Sequence, residues 1–131
     1  MDIFEEALSG LGVDIRFDSE HLFSCELTPE GESSGLYLSA YRDLEAMSLR
    51  LSVLTRNELH DGLDASFWTT FSQMAIGPLR GDVGVGVLEG TKNICVYQVI
   101  SLAGKPQYYA MQIIETLIDF AEDWERKLSV I

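Results

Sequence analysis

Two neighbouring runs keep a strict period of two, and that pattern constrains the fold more than any other feature of the chain. In the first, Leu36, Leu38 and Ala40 oppose Tyr37, Ser39 and Tyr41; in the second, Met47, Leu49, Leu51 and Val53 oppose Ser48, Arg50 and Ser52. Alternation of this kind builds antiparallel strands with one covered and one solvated face. Arg42-Asp43-Leu44-Glu45 between them has the length of a hairpin connection. A covered face needs a cover, and the end of the chain supplies one. Beyond Gly104-Lys105-Pro106, the residues Ala110, Ile113, Ile114, Leu117, Ala121, Trp124 and Leu128 form one helical stripe, opposite Gln112, Glu115, Asp119, Glu122 and Arg126.

The remaining elements follow from the same periods. Ile3, Phe4, Ala7, Leu8 and Leu11 share a face of a short first helix, with Asp2 as N-cap and Gly10 and Gly12 as stop signals. Such a helix is marginal alone, so the body of the domain, a second subunit or a ligand must cover its stripe. After Val13, Ile15 and Phe17, a strand over His21 to Leu27 puts Phe23, Cys25 and Leu27 on one side. Thr28 to Gly35 is a polar, turn-rich loop. A second helix runs from Asp61 to Ile76 on Leu63, Phe67, Phe71, Met74 and Ala75, widened by Trp68 and broken by Gly77-Pro78. Gly81 to Val87 and Ile94 to Ile100 make a second hairpin around Glu89-Gly90-Thr91-Lys92-Asn93. The result is an α+β chain: helix, three-stranded antiparallel segment, helix, β-hairpin and long C-terminal helix, in one domain spanning 1–131.

A formal net charge of -12 on 131 residues that are 47% hydrophobic describes a folded acidic domain, since an acidic disordered chain lacks the apolar residues for this periodicity. Nine scattered Lys and Arg residues argue against nucleic acid and against an anionic membrane surface. A basic or amphipathic polypeptide partner is compatible. Met1-Asp2-Ile3-Phe4-Glu5-Glu6 has neither the basic start nor the apolar run of a secretory signal, and no segment is apolar enough to span a bilayer, which places the protein in a cytosol. Cys25 and Cys95, each inside a strand, read as buried reduced thiols.

Chemistry-bearing motifs are sparse. Gly81-Asp82-Val83-Gly84-Val85-Gly86 leads into a strand, with no GK[ST] beside it, so it does not read as a phosphate loop. Its valines face one way and Gly84 and Gly86 the other, leaving bare backbone that invites a packed helix from this chain or from a symmetry mate. His21 and His60 read as surface histidines, with too few neighbours for a metal site. No GxSxG elbow is present. The expectation is therefore no enzyme, no cofactor and no metal. Phe67, Trp68 and Phe71 read as core or subunit interface, and Trp124 as core. Tyr37 and Tyr41, on one strand face, form either a peptide-docking surface or ordinary surface packing.

Taken together, the element order, the acidic charge, the Gly-Pro stop after an aromatic helix, the strand Val83-Gly84-Val85-Gly86-Val87 and the final helix ending in Asp119-Phe120-Ala121-Glu122-Asp123-Trp124 resemble the class I type III secretion chaperones. The resemblance spans essentially the whole chain. It implies a homodimer in the bacterial cytoplasm that keeps the N-terminal segment of a secreted effector or translocator soluble and non-globular for export, without ATP. It also implies a dimer interface at Phe67, Trp68, Phe71 and Met74 on the second helix and Val83, Gly84, Val85, Gly86 and Val87 on the fourth strand. The implied effector-binding residues are Ile3, Phe4, Leu8, Leu11, Ile15, Phe17, Leu22 and Phe23, with Tyr37 and Tyr41. The first-helix residues have a second reading, as core of the same chain. The function has one too: a regulatory or structural module that binds a folded partner.

Overall fold

In a computed structural model that describes residues 2–28 and 35–129, a five-stranded antiparallel sheet carries the core on one face only. Its strands are β1 (Leu22–Leu27), β2 (Leu36–Asp43), β3 (Ser48–Glu58), β4 (Gly84–Val87) and β5 (Asn93–Ser101), in the spatial order β1-β2-β3-β5-β4. The two free edges therefore belong to β1 and β4. Three helices accompany the sheet: α1 (Ile3–Ala7), α2 (Ala65–Ala75) and α3 (Tyr109–Ser129). α3 packs on β3 and β5, and α2 packs on β4.

Register explains which side is dry. Cys25, Leu38, Val53, Val96 and Val85 lie opposite one another across all five strands and so share a face. On it, Leu38, Val53 and Val96 are completely buried, beneath Ile114, Leu117, Ala121 and Trp124 of α3. The alternation in β2 and β3 and the α3 stripe thus do what their periods require. Each fully covered aliphatic side chain contributes about 1.5–3 kcal/mol relative to an exposed one.

Several element ends differ from the sequence expectation, each for a local reason. The first helix stops at Ala7, and Ser9–Leu11 is a 3-10 turn closed by Gly12 at φ +75°. The strand expected from His21 begins at Leu22, because His21 takes a left-handed φ of +65°. Arg42 and Asp43 belong to β2 and not to the hairpin connection: the Arg42 N–H donates to the His21 carbonyl at 3.0 Å, extending the ladder. Met47, expected in β3, is instead a turn residue at φ +51° whose carbonyl accepts from Leu102 N–H at 2.8 Å. The second helix starts at Ala65 and not near Asp61, because Asp64 caps it, its side chain accepting from the Phe67 N–H at 2.9 Å. The polar loop expected between β1 and β2 falls, over residues 29–34, outside the described residues.

β3 also runs past its expected end, through an irregular stretch between Leu54 and Glu58. There the buried Thr55 replaces lost ladder bonds, its hydroxyl accepting from Ile94 N–H at 3.0 Å while Asn93 Nδ2 donates to its carbonyl at 2.8 Å. Glu125 of α3, 5% exposed, locks the same stretch by accepting from Arg56 Nε at 3.0 Å and from the Asn57 N–H at 2.9 Å. A buried carboxylate needs such partners.

Candidate functional site

Among the described residues, three surfaces offer unpaired backbone or uncovered apolar side chains. The first is the free edge of β1. Because the His21 carbonyl bonds β2, the odd-numbered residues of β1 turn their backbone groups inward, and Leu22, Ser24 and Glu26 turn theirs out. Asp18 closes the start of this edge. Its N–H donates to the Leu22 carbonyl at 2.9 Å, and its Oδ1 accepts from the Leu22 N–H at 3.0 Å. Among the described residues, that leaves the N–H and C=O of Ser24 and Glu26 as the open edge. On the helix side it borders a groove of about 360 Å³ lined by Leu11, Val13, Cys25, Leu27, Ile118, Glu26 and Glu122, among others.

The second surface is the open face of the sheet. Tyr37, Leu54, Cys95 and Gly86 lie in one row across it; Ser39, Ser52, Tyr97 and Gly84 in the next; Tyr41, Arg50 and Val99 in a third. Tyr37 is 46% exposed and Val99 59%. Arg50 lies over the Tyr41 ring at 5.0 Å, covering part of it. The third surface is the outer side of α2 and the turn after it. Trp68, Ser72 and Ile76 follow at four-residue steps on one helix face. Trp68 is 41% exposed, and Leu79, on the 3-10 turn Gly77–Arg80, is 87% exposed. Val87 and Leu88 at the end of β4 are also exposed.

The ten residues expected to bind an effector do not form one groove. Phe4, Leu8, Ile15 and Phe23 are core. Leu11 lines the groove beside β1, Ile3 is exposed on α1, and Phe17 is half-buried. Leu22, Tyr37 and Tyr41 lie on the open face of the sheet, the opposite side. The nine expected interface residues divide in the same manner. Phe67 packs on Trp124 with ring centroids 5.2 Å apart, and Phe71 does so at 5.7 Å. Met74 Sδ accepts from Trp124 Nε1 at 3.4 Å. Val83, Gly84 and Val85 are buried within the chain. Trp68 and Val87 face outward, and Gly86 has open space where a side chain would begin.

Some expectations need correcting. At Gly84 the place is filled by no α-helix: a Cβ there would stand 2.6 Å from both Tyr97 Cζ and Pro78 Cγ, a cross-strand ring and a proline of the 3-10 turn, whereas Gly86 stays open. Both cysteines are free but half-buried, not buried. Burial pushes both thiols above their ordinary pKa, with a Ser52 hydrogen bond opposing the shift at Cys95. The histidines are half-buried and bonded, not surface residues. His60 Nδ1 accepts from Gly62 N–H at 3.1 Å, and its Nε2 lies 3.0 Å from the Leu128 carbonyl, tying a loop to the end of α3. Sequence reading missed Ile76, Leu79, Leu54, Tyr97 and Val99. Leu79 follows a Gly-Pro break, where an apolar residue has no period to betray it. β5 is apolar on both faces, so its outward residues gave no contrast.

Among the described residues, no group of three or more His, Cys, Asp or Glu is placed to hold a metal ion, and no helix is long and apolar enough to cross a membrane. No family profile matches the chain, and no curated protein matches it in sequence. Solved structures do match. A chain of the HopA1-SchA chaperone-effector complex superposes with a TM-score of 0.69 at 17% identity, over 95% of this chain and 91% of that one. A chain of the ExsC-ExsE complex gives 0.68 at 20% identity, over 96% and 90%. One from the heterodimeric ExoU-SpcU complex of the Pseudomonas aeruginosa type III secretion system gives 0.65 at 13% identity, over 97% and 98%. The chain has the α+β fold of the class I type III secretion chaperones.

Proposed function

We propose that this protein is an export chaperone of the bacterial cytoplasm that holds the N-terminal segment of a type III effector or translocator, soluble and non-globular, until it is exported. The observation that carries the reading is the whole-length likeness to proteins solved as partners in effector complexes. The open edge of β1 fits it physically. An extended segment adds a strand at Ser24 and Glu26, and places alternate apolar side chains in the groove beside Leu11 and Ile118. The net charge of -12 favours a segment carrying Lys or Arg. Leu22, Tyr37 and Tyr41 offer a second contact on the open face. Binding alone accomplishes this task, so no cofactor or catalytic residue is assigned.

The proposed working unit is a homodimer joined through the outer side of α2 and the β4 edge. Trp68, Ile76, Leu79 and Val87 supply its apolar surface, and Gly86 allows close approach. Phe67, Phe71, Met74, Val83, Gly84 and Val85 support that surface from inside the protomer. The test is co-purification from the cells that make the protein, followed by truncation of whatever is bound. Capture of a secreted protein through an isolated N-terminal fragment supports the chaperone. Capture that needs the partner's native fold, and fails with every fragment, establishes instead a regulatory module for a folded protein.

A further inference from the structure

α1 has five residues and cannot hold itself in place. Its start is fixed by Asp2, whose Oδ1 accepts from the Glu5 N–H at 2.8 Å while Oδ2 accepts from Arg42 Nη1 at 2.9 Å. Arg42 lies near the end of β2, with its side chain largely covered. Its Nε donates to His21 Nδ1 at 3.1 Å, and its guanidinium carbon stands 4.7 Å from the centre of the Phe17 ring. Phe17 in turn packs edge-on against Phe4 at 6.4 Å and tilted against Phe23 at 6.2 Å. His21 is held in its left-handed conformation in the turn where Asp18 accepts from both Glu20 and Leu22 N–H groups. A non-glycine residue at positive φ is uncommon and has to be held by its surroundings. One guanidinium thus joins the cap of α1, the turn that opens β1 and the aromatic side chain between them.

We infer that Arg42 is a positioning residue for the segment-binding surface: through Asp2 and His21 it fixes α1 relative to the open edge of β1. The inference rests on the reading that this surface receives the client segment. Arginine suits the task because its planar fork reaches two partners while its face stacks on a ring, whereas a lysine is a point charge that satisfies one partner at a time. Removing the clasp frees α1 as a unit and uncovers the Phe4, Phe17 and Phe23 cluster, while the sheet beneath keeps its own cover from α3.

The test uses the full chain and needs no client: amide exchange read residue by residue, with the neutral dye Nile red as probe of uncovered apolar surface. Arg42→Met keeps a stem over Phe17 but loses the fork. Asp2→Asn keeps a capping oxygen but loses the charge. We expect exchange at Phe4 to Leu8 to accelerate about tenfold in Arg42→Met, with Leu49 to Val53 and Ile114 to Leu128 within about twofold of the parent, because local opening is independent of global unfolding. Nile red emission should rise in parallel, Asp2→Asn should share the effect, and Arg42→Lys should restore α1 protection only in part. Equal acceleration everywhere, unchanged exchange at α1, or full restoration by lysine would each overturn the inference. If the local shifts appear but no client segment binds, the chaperone reading falls and the clasp stands; if a segment binds and the shifts are missing, the reverse holds.

Discussion

Gly84 and Gly86 look alike in sequence, two small residues facing the same way on one strand, and register separates them. Gly84 lies opposite Tyr97, whose ring occupies the place of a side chain, whereas nothing lies within 4 Å of a Cβ on Gly86. We expect Gly84→Ala to cost about 1–3 kcal/mol by overpacking, and Gly86→Ala to be neutral for the fold of the protomer. Urea denaturation of both variants checks this, and equal losses would refute the distinction. The thiols give a second expectation at this scale. Burial raises both pKa values, so less thiolate is present at a given pH, and alkylation by iodoacetamide at pH 8 should be slower in the native protein than in the unfolded chain. The linked stability effect has one sign: unfolded thiols ionise first, so stability present below the ordinary thiol pKa declines as pH rises beyond it. Mass spectrometry of the alkylated protein, native against urea-unfolded, measures the rate difference.

α2 has two faces with two tasks, and the distinction decides which substitution is informative. Phe71 packs on Trp124, so Phe71→Asp attacks the protomer itself and should lower its stability by several kcal/mol, about the size expected for an unpaired charge in a core. Leu79 touches little of its own chain. Leu79→Asp should therefore leave the melting curve of the protomer nearly unchanged while shifting sedimentation from dimer to monomer. An unchanged dimer would place the interface elsewhere. By the same logic a charge at Phe4 would attack the protomer and say nothing of client binding, since Phe4 is part of the core. How much of this was legible in sequence varies with the contrast between faces. β2 and β3, one face apolar and one polar, were readable strand by strand, and the stripe of α3 was readable along its length. α2 showed that its apolar face was too wide but not which part turned outward. β5, apolar on both faces, concealed the open surface around Leu54, Tyr97 and Val99. The division of α1 from its 3-10 continuation depends on glycine conformation and on Met111, which sits against Gly10, and no local pattern carries that information.

For the molecule as a whole, 21 acidic residues against nine basic ones mean that most carboxylates have no cation to pair with, whatever their arrangement. Self-repulsion of this size weakens the compact state and is screened by salt. Raising sodium chloride from about 20 to about 500 mM should increase the melting temperature by about 2–6 °C, the shift that roughly 1 kcal/mol produces in a domain of this size. A flat or falling response in calorimetry would show that the ion pairs outweigh the repulsion. The same acidity was evident from composition, and the element order and the fold class from the periods of the apolar residues. The two proposed assemblies, with a second copy and with a client, rest on surfaces whose exposure only the folded chain reveals.

The abbreviated edge of β1 has a further consequence, for letting go. Among the described residues Ser24 and Glu26 present two donors and two acceptors, and at about 1 kcal/mol net for each hydrogen bond they would contribute about 4 kcal/mol, which corresponds to millimolar affinity. Under the proposed function, main-chain pairing at this edge would set direction and spacing without setting a long lifetime. The same brevity discourages runaway stacking of one copy on the next, because two residues give too short a template. Any tight partner must draw its residence time from side chains seated in the neighbouring groove, and peeling those out one at a time is a route to release that needs no nucleotide.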